Sequence, residues 1–319
     1  MLMSPNDSKL AQAAIDGSLP AIGSQQPKVE DALAASLAVW GVSEGSVAEA
    51  ISYFNGLREA AITLDQKGGP KLLTAPMPRA LLDSLGLHDH ESAGANEDLA
   101  QALRDALKLL QDIEPHFFQA VIDGIDTLIP VQLREGAKAR APLTSITIPC
   151  FPMTSFFSTN ALRHLAPGAL TEQDDIAVLA ENLLHESIHQ RVNLTIIEKR
   201  VLRPDFSSEN SPKIPIPWRQ TATEARNREW ELDRCLHAFA VYVGVYPFRK
   251  AVAERRNVAS STRQTFLQSL DQAKKSMRFL GQALTERRHL FDQDGQDLIL
   301  ELQAANPFAV EGPICPATS

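Results

Sequence analysis

Residues 175–198 read DIAVLAENLLHESIHQRVNLTIIE, and within them His185-Glu186-Ser187-Ile188-His189 forms an H-E-x-x-H motif. Side chains four apart on an α-helix lie on one face, one turn apart. Two imidazoles so placed can bind one metal ion from an unbent backbone. Projected as a helix, the stretch carries Ile176, Val178, Leu179, Leu183, Leu184, Ile188, Val192 and Ile196 on nearly all sides, the pattern of a buried helix. Glu181, His185, Glu186 and His189 fall in its middle. Charged groups in such surroundings are costly unless paired or bound to a metal. The bland alternative is two histidines hydrogen-bonded inside a core.

Around this helix the chain reads as mostly α with a small β component. Residues 28–64 carry apolar side chains at spacings of three and four, as do segments near 99–113 and 116–129. LTSITIPCF at 143–151, rich in Thr and Ile and bounded by prolines, reads as a strand, and the segment after it as a second short strand or loop. A boundary near 137–142 would separate a helical N-terminal region, 1–140, from a metal-binding region, 141–319, unless the two form one continuous domain. After the motif helix comes a loop with four prolines between Arg203 and Trp218. A long helix is then expected from Ala222 to Val245, opened by a Thr221/Glu224 capping box. Helical stretches over roughly 248–280 and 282–303 precede an irregular tail.

The motif helix is therefore expected to face a second long helix that supplies a third ligand. Glu229, Asp233 and His237 follow at four-residue steps. His237 stands where that helix becomes apolar on most sides, at the edge of a buried zone, and is the preferred ligand. The two acids read more simply as a solvated face. His88 and His90 lie in a polar segment and read as solvent-facing; His116, His164 and His289 read as structural.

The third ligand decides the chemistry. With zinc and a downstream Glu (Glu224, Glu229 or Glu231), Glu186 would be the general base of a gluzincin-type metallopeptidase. The metzincin pattern is absent, because QRVNLTII follows the motif. Two histidines plus a third His or carboxylate, with open positions, also suit Fe(II) and oxygen chemistry. A guanidinium would then bind the distal carboxylate of 2-oxoglutarate, with Arg226 or Arg219 as candidates.

Bulk properties narrow the partners. The 319 residues carry a formal net charge of −8, which disfavours nucleic acid or anionic membrane as the main partner. Cys150, Cys235 and Cys315 lack CxxC spacing, which fits a reducing cytoplasm. No apolar run approaches a membrane span, and no signal peptide is evident.

Over residues 143–246 the chain resembles the HExxH-type peptide-modification proteins found with biosynthesis of ribosomally made, post-translationally modified peptides. The resemblance rests on TSITIPCF, on DIAVLAENLLHESIH, on Pro217-Trp218-Arg219 and on Leu236-His237 within an apolar helix. The chain departs from the family pattern at Ala238, where a Gly often follows the downstream His. The resemblance implies a cytoplasmic Fe(II)- and 2-oxoglutarate-dependent dioxygenase that hydroxylates a side-chain β-carbon of a ribosomal precursor peptide. It implies His185, His189 and His237 as metal ligands and an Arg at position 226. Glu186 would then orient a ligand and need not act as a base. A non-catalytic peptide-binding protein with a structural metal is the third reading.

Overall fold

A computed structural model describes residues 55–56, 58–59, 61–65, 69–137, 143–148, 151–220, 228–256 and 258–309. The fold is mostly helical with a small mixed sheet. The sheet contains β1 (Ile62–Thr63), β2 (Lys71–Leu72), β3 (His90–Ser92), β4 (Thr127–Leu133), β5 (Ser145–Thr147) and β6 (Thr154–Phe157). Its order is β1-β2-β4-β6-β5, with β3 also paired to β4. The β2–β4 and β4–β6 pairs are parallel, and the β1–β2, β3–β4 and β5–β6 pairs antiparallel. Strand β5 thus ends the sheet.

Between the strands lie α1 (Arg79–Ser84), α2 (Glu97–Ile113) and α3 (Pro115–Gly124). Asn96 caps α2 by accepting from the Leu99 N–H at 2.8 Å, and Glu97 and Asp98 complement the positive end of its dipole. Pro115 opens α3, where its missing N–H costs nothing. The small hairpin β7 (His164–Leu165) and β8 (Ala169–Leu170) leads to α4 (Ile176–Glu198), the motif helix. Then follow β9 (Ile214–Pro215), β10 (Glu229–Trp230), α5 (Leu232–Glu254), α6 (Ser260–Glu286) and α7 (Gln293–Ala305).

Helix α4 is the hub: α2, α3, α5 and β5 all pack on it. From Ala177 to Thr195 every residue is buried except His185 and His189. The helix is closed to solvent along this run apart from its two histidines. Asp175 caps it by accepting from the Ala177 N–H at 2.8 Å, and the Thr262 hydroxyl on α6 donates to the same carboxylate. Gly124 lets α3 approach closely, since a Cβ there would lie 2.7 Å from the Ser187 carbonyl oxygen. No described helix is long and apolar enough to cross a membrane.

Several sequence expectations change. The apolar spacing after Pro115 continues past α3 into β4, so Thr127, Leu128 and Ile129, expected as helix, open the central strand. Pro130 tolerates this place because of where it falls. Its carbonyl accepts from the Ala93 N–H at 3.0 Å, and N and C=O of one strand residue share a side. Its missing N–H therefore meets the point where β2 has ended and β3 begins. His90 is buried in β3 and not solvent-facing, while His88 is exposed. Of the helix expected over Ala222–Val245, residues 222–227 lie outside the described residues, Glu229 and Trp230 pair with Pro215 and Ile214 as strand, and Leu232–Val245 are helical within α5. Glu229 is exposed on that strand, so the four-residue helical series with Asp233 and His237 does not include it. The Thr221/Glu224 capping box, Arg226, Cys150 and Cys315 lie outside the described residues. The strand expected at 143–151 is present at Ser145–Thr147, and of the strand or loop expected after it, Thr154–Phe157 is a strand.

Candidate metal centre

Helix α4 presents His185 and His189, and α5 brings His237 from across the core. The Nδ1 atoms of His189 and His237 are 3.2 Å apart. The His185 and His189 ring centroids are 4.9 Å apart and those of His189 and His237 5.3 Å. All three line one cleft of about 830 Å³. Burial holds the His189 imidazole well below its ordinary pKa, with His185 and His237 adding repulsion. Burial also lowers His237, to about 4. Both are therefore neutral at pH 7, the state a metal ligand requires.

The separation of the paired nitrogens decides what they can share. Two nitrogens bound at ~2.0–2.1 Å to one ion lie roughly 2.8–3.4 Å apart for angles between square and tetrahedral. The observed 3.2 Å falls in that interval. It also suits an N–H···N hydrogen bond between two neutral rings. Among the described residues no three His, Cys, Asp or Glu side chains converge as a metal-binding group. The arrangement is a ready pair, His189 and His237, with His185 adjoining it.

Glu181 lies behind His185. The buried Nδ1 of His185 has no hydrogen-bond partner, and the nearest carboxylate oxygen, of Glu181, is 3.9 Å away. Glu181 forms a fully buried ion pair with Arg249 of α5 at 2.8 Å. Burial works against its charge, but the Arg249 guanidinium and His185 outweigh this and hold its carboxyl below the usual range. Arg249 also donates to the Ala166 and Ser269 carbonyls, which secures the pair to the β7–β8 turn and to α6.

Glu186 is held by the sheet. Its two carboxylate oxygens accept from Ser145 Oγ at 2.7 Å and Thr147 Oγ1 at 2.6 Å, both on β5. One residue past the motif, Gln190 accepts from the Met153 N–H at 2.9 Å and donates to the Thr154 carbonyl at 2.5 Å. That pair of bonds supports Met153 in its left-handed conformation, φ 55°, at the turn entering β6. Helix and sheet edge are thereby fixed in register around the cleft.

The opposite wall comes from the proline loop and the start of α5. Lys213 bonds Glu231 at 2.7 Å and the Ser208 carbonyl at 2.6 Å. Ser211 Oγ accepts from the Leu232 N–H at 3.1 Å and so caps α5. Asp233, one turn before His237, lines the cleft with an oxygen that lacks a hydrogen-bond partner, and burial raises its pKa. Arg234 also lines it, stacked over Trp230 at 4.8 Å.

Of the residues proposed from sequence, His185, Glu186, His189 and His237 share this cleft. Arg219 does not line it; its charge acts on His164 and Tyr242. The sequence reading missed Ser145 and Thr147, although their two-residue spacing in a strand puts both hydroxyls on one face. Free Cys235 is buried, its thiol pushed up to about 12. No family model matches the chain, and no curated protein matches it.

Proposed function

We propose that the protein is a mononuclear metal enzyme, an Fe(II)- and 2-oxoglutarate-dependent hydroxylase acting on a side-chain β-carbon of a peptide. The reading is carried by the neutral His189–His237 pair, 3.2 Å apart at the only opening of a buried helix run. His185, His189 and His237 would hold the ion and leave positions open. The bound iron supplies the oxidising chemistry. The chain supplies a dry back wall through Glu181 and Arg249 and a fixed sheet edge through Glu186. Glu186 already accepts from two hydroxyls, which supports an anchoring role over that of a free base. The distal carboxylate of 2-oxoglutarate needs a guanidinium; Arg226 and Arg219 are the sequence's candidates, and Arg234 is an arginine on the cleft wall.

Hydrolysis by a zinc form is the second reading, because Glu186 also lines the cleft beside both motif histidines. Protein purified and iron-loaded without air, then given 2-oxoglutarate and dioxygen, separates the two. Succinate formation is the expected result. Zinc-dependent peptide cleavage with neither bound iron nor succinate contradicts it.

A further inference from the structure

Strand β5 ends the sheet beside the cleft. It pairs with β6 in the register Ser145↔Phe157, Ile146↔Phe156, Thr147↔Ser155. The Ser158 N–H donates to the Thr144 carbonyl at 2.9 Å, so 144 and 158 form a hydrogen-bonded pair. Such pairs alternate along an antiparallel ladder, which makes Ile146–Phe156 the next. Ser145 and Thr147 take the intervening positions, with N–H and C=O turned away from β6. Among the described residues none of these four outward groups has a hydrogen-bond partner.

The side chains of the same two residues turn toward α4 and hold Glu186. Ile146 turns the other way, against the core of Ile129 and Phe156. Ser145, Ile146 and Thr147 line the same cleft as the three histidines. An open strand edge is thus fixed next to the histidines by the glutamate of their own motif. Ordinary sheets cover or charge such edges; here the edge carries uncharged Ser-Ile-Thr.

We infer that β5 docks an extended polypeptide as an added strand, through the N–H and C=O groups of Ser145 and Thr147. This rests on reading the cleft as a peptide-modifying metal site. A docked residue opposite Ser145 or Thr147 turns its side chain to the same face as theirs, the face of Glu186. Its β-carbon then points toward the histidine side of the sheet, while the residue opposite Ile146 points away. Recognition through backbone groups fixes the register and leaves side-chain identity to the cleft walls.

The probe is an equimolar pool of randomised ten-residue peptides. It is applied to zinc-loaded full-length protein, and retained peptide is quantified by mass spectrometry after gel filtration. Ser145→Ala and Ser145→Pro both lack the hydroxyl and differ at the outward N–H, where an edge strand tolerates proline. Thr147→Ala and Thr147→Pro form the matching pair. Each proline variant should retain roughly five- to ten-fold less peptide than its alanine partner. A pool methylated at every amide should be retained at least as poorly by the wild type. Equal retention by proline and alanine variants overturns the inference, as does a wild type that retains no pool peptide. A wild-type dimer that Ser145→Pro abolishes would assign the edge to a second copy of the chain and also overturn it.

Should the proline variants melt before the assay temperature, amide exchange on the wild type replaces them. The Ser145 and Thr147 amides should slow on adding the pool while Ile146 stays unchanged; no slowing at the two overturns the inference. Zinc content of the same samples keeps the two ideas apart. One zinc per chain without peptide defeats strand addition alone, and peptide retained without zinc defeats the metal reading alone.

Discussion

His189 and His237 are 48 positions apart in the chain, and their Nδ1 atoms are 3.2 Å apart in the fold. Neither helix achieves this alone. Helix α4 is fixed by its burial on nearly every side, and α5 is fixed against it by the Arg249–Glu181 ion pair behind the site.

Acid should unfold the metal-free protein through these rings. Burial lowers both in the folded state, His237 to about 4, while the unfolded chain titrates near the ordinary histidine value of 6.5. The unfolded state therefore takes up protons first. Stability should be constant above pH ~6.5 and fall between there and pH ~4, by up to ~1.4 kcal/mol per pH unit for each linked histidine. Chemical denaturation from pH 4.5 to 8 measures this. His237→Ala should flatten the slope, and an unchanged slope would exclude His237 as a source.

Breaking the buried pair should cost more than replacing it. Arg249→Met leaves the Glu181 charge buried without its partner and should destabilise by ~3–5 kcal/mol. The double variant with Glu181→Leu should recover part of this. Urea unfolding midpoints check both, and equal losses in the single and double variants would contradict the account.

Close helix contact at the motif should be sensitive to one methyl group. Gly124→Ala puts a Cβ 2.7 Å from the Ser187 carbonyl and 2.9 Å from its Cβ. Since this is backbone against backbone, the helices must separate, at about 1–3 kcal/mol. Thermal melting should report it. A variant as stable as the wild type would mean that α3 and α4 shift freely.

Glu186→Gln tests the role of the motif glutamate. The amide keeps one acceptor oxygen for the β5 hydroxyls but cannot take a proton from water. Succinate formation within about ten-fold of wild type is expected under the anchoring role. A ~10²–10⁴-fold loss, the size of a general-base contribution, would contradict the anchoring role.

Much of this site was legible in the sequence because helical periodicity is local. The 3.6-residue repeat identified α4 as buried and put His185 and His189 on one face, and the Thr/Ile run identified β5. What could not be read depends on distant partners. Residues of β4 have apolar spacings that suit a helix, and Pro130 argues against a central strand until β2 and β3 are seen to share its edge. Glu229 and Trp230 read as continuous with α5 because nothing local shows that they pair with the proline loop. The hydroxyls on Glu186 come from 41 and 39 residues upstream.

His185, His189 and His237 are expected to hold one metal ion together. Equilibrium dialysis of the apoprotein against Co(II), with His185→Ala, His189→Ala and His237→Ala alongside, tests this most directly. The predicted result is one equivalent bound by the wild type and affinity lowered by at least about 100-fold in each variant. A wild type that binds no Co(II), or a His237→Ala variant that binds it undiminished, would contradict the claim.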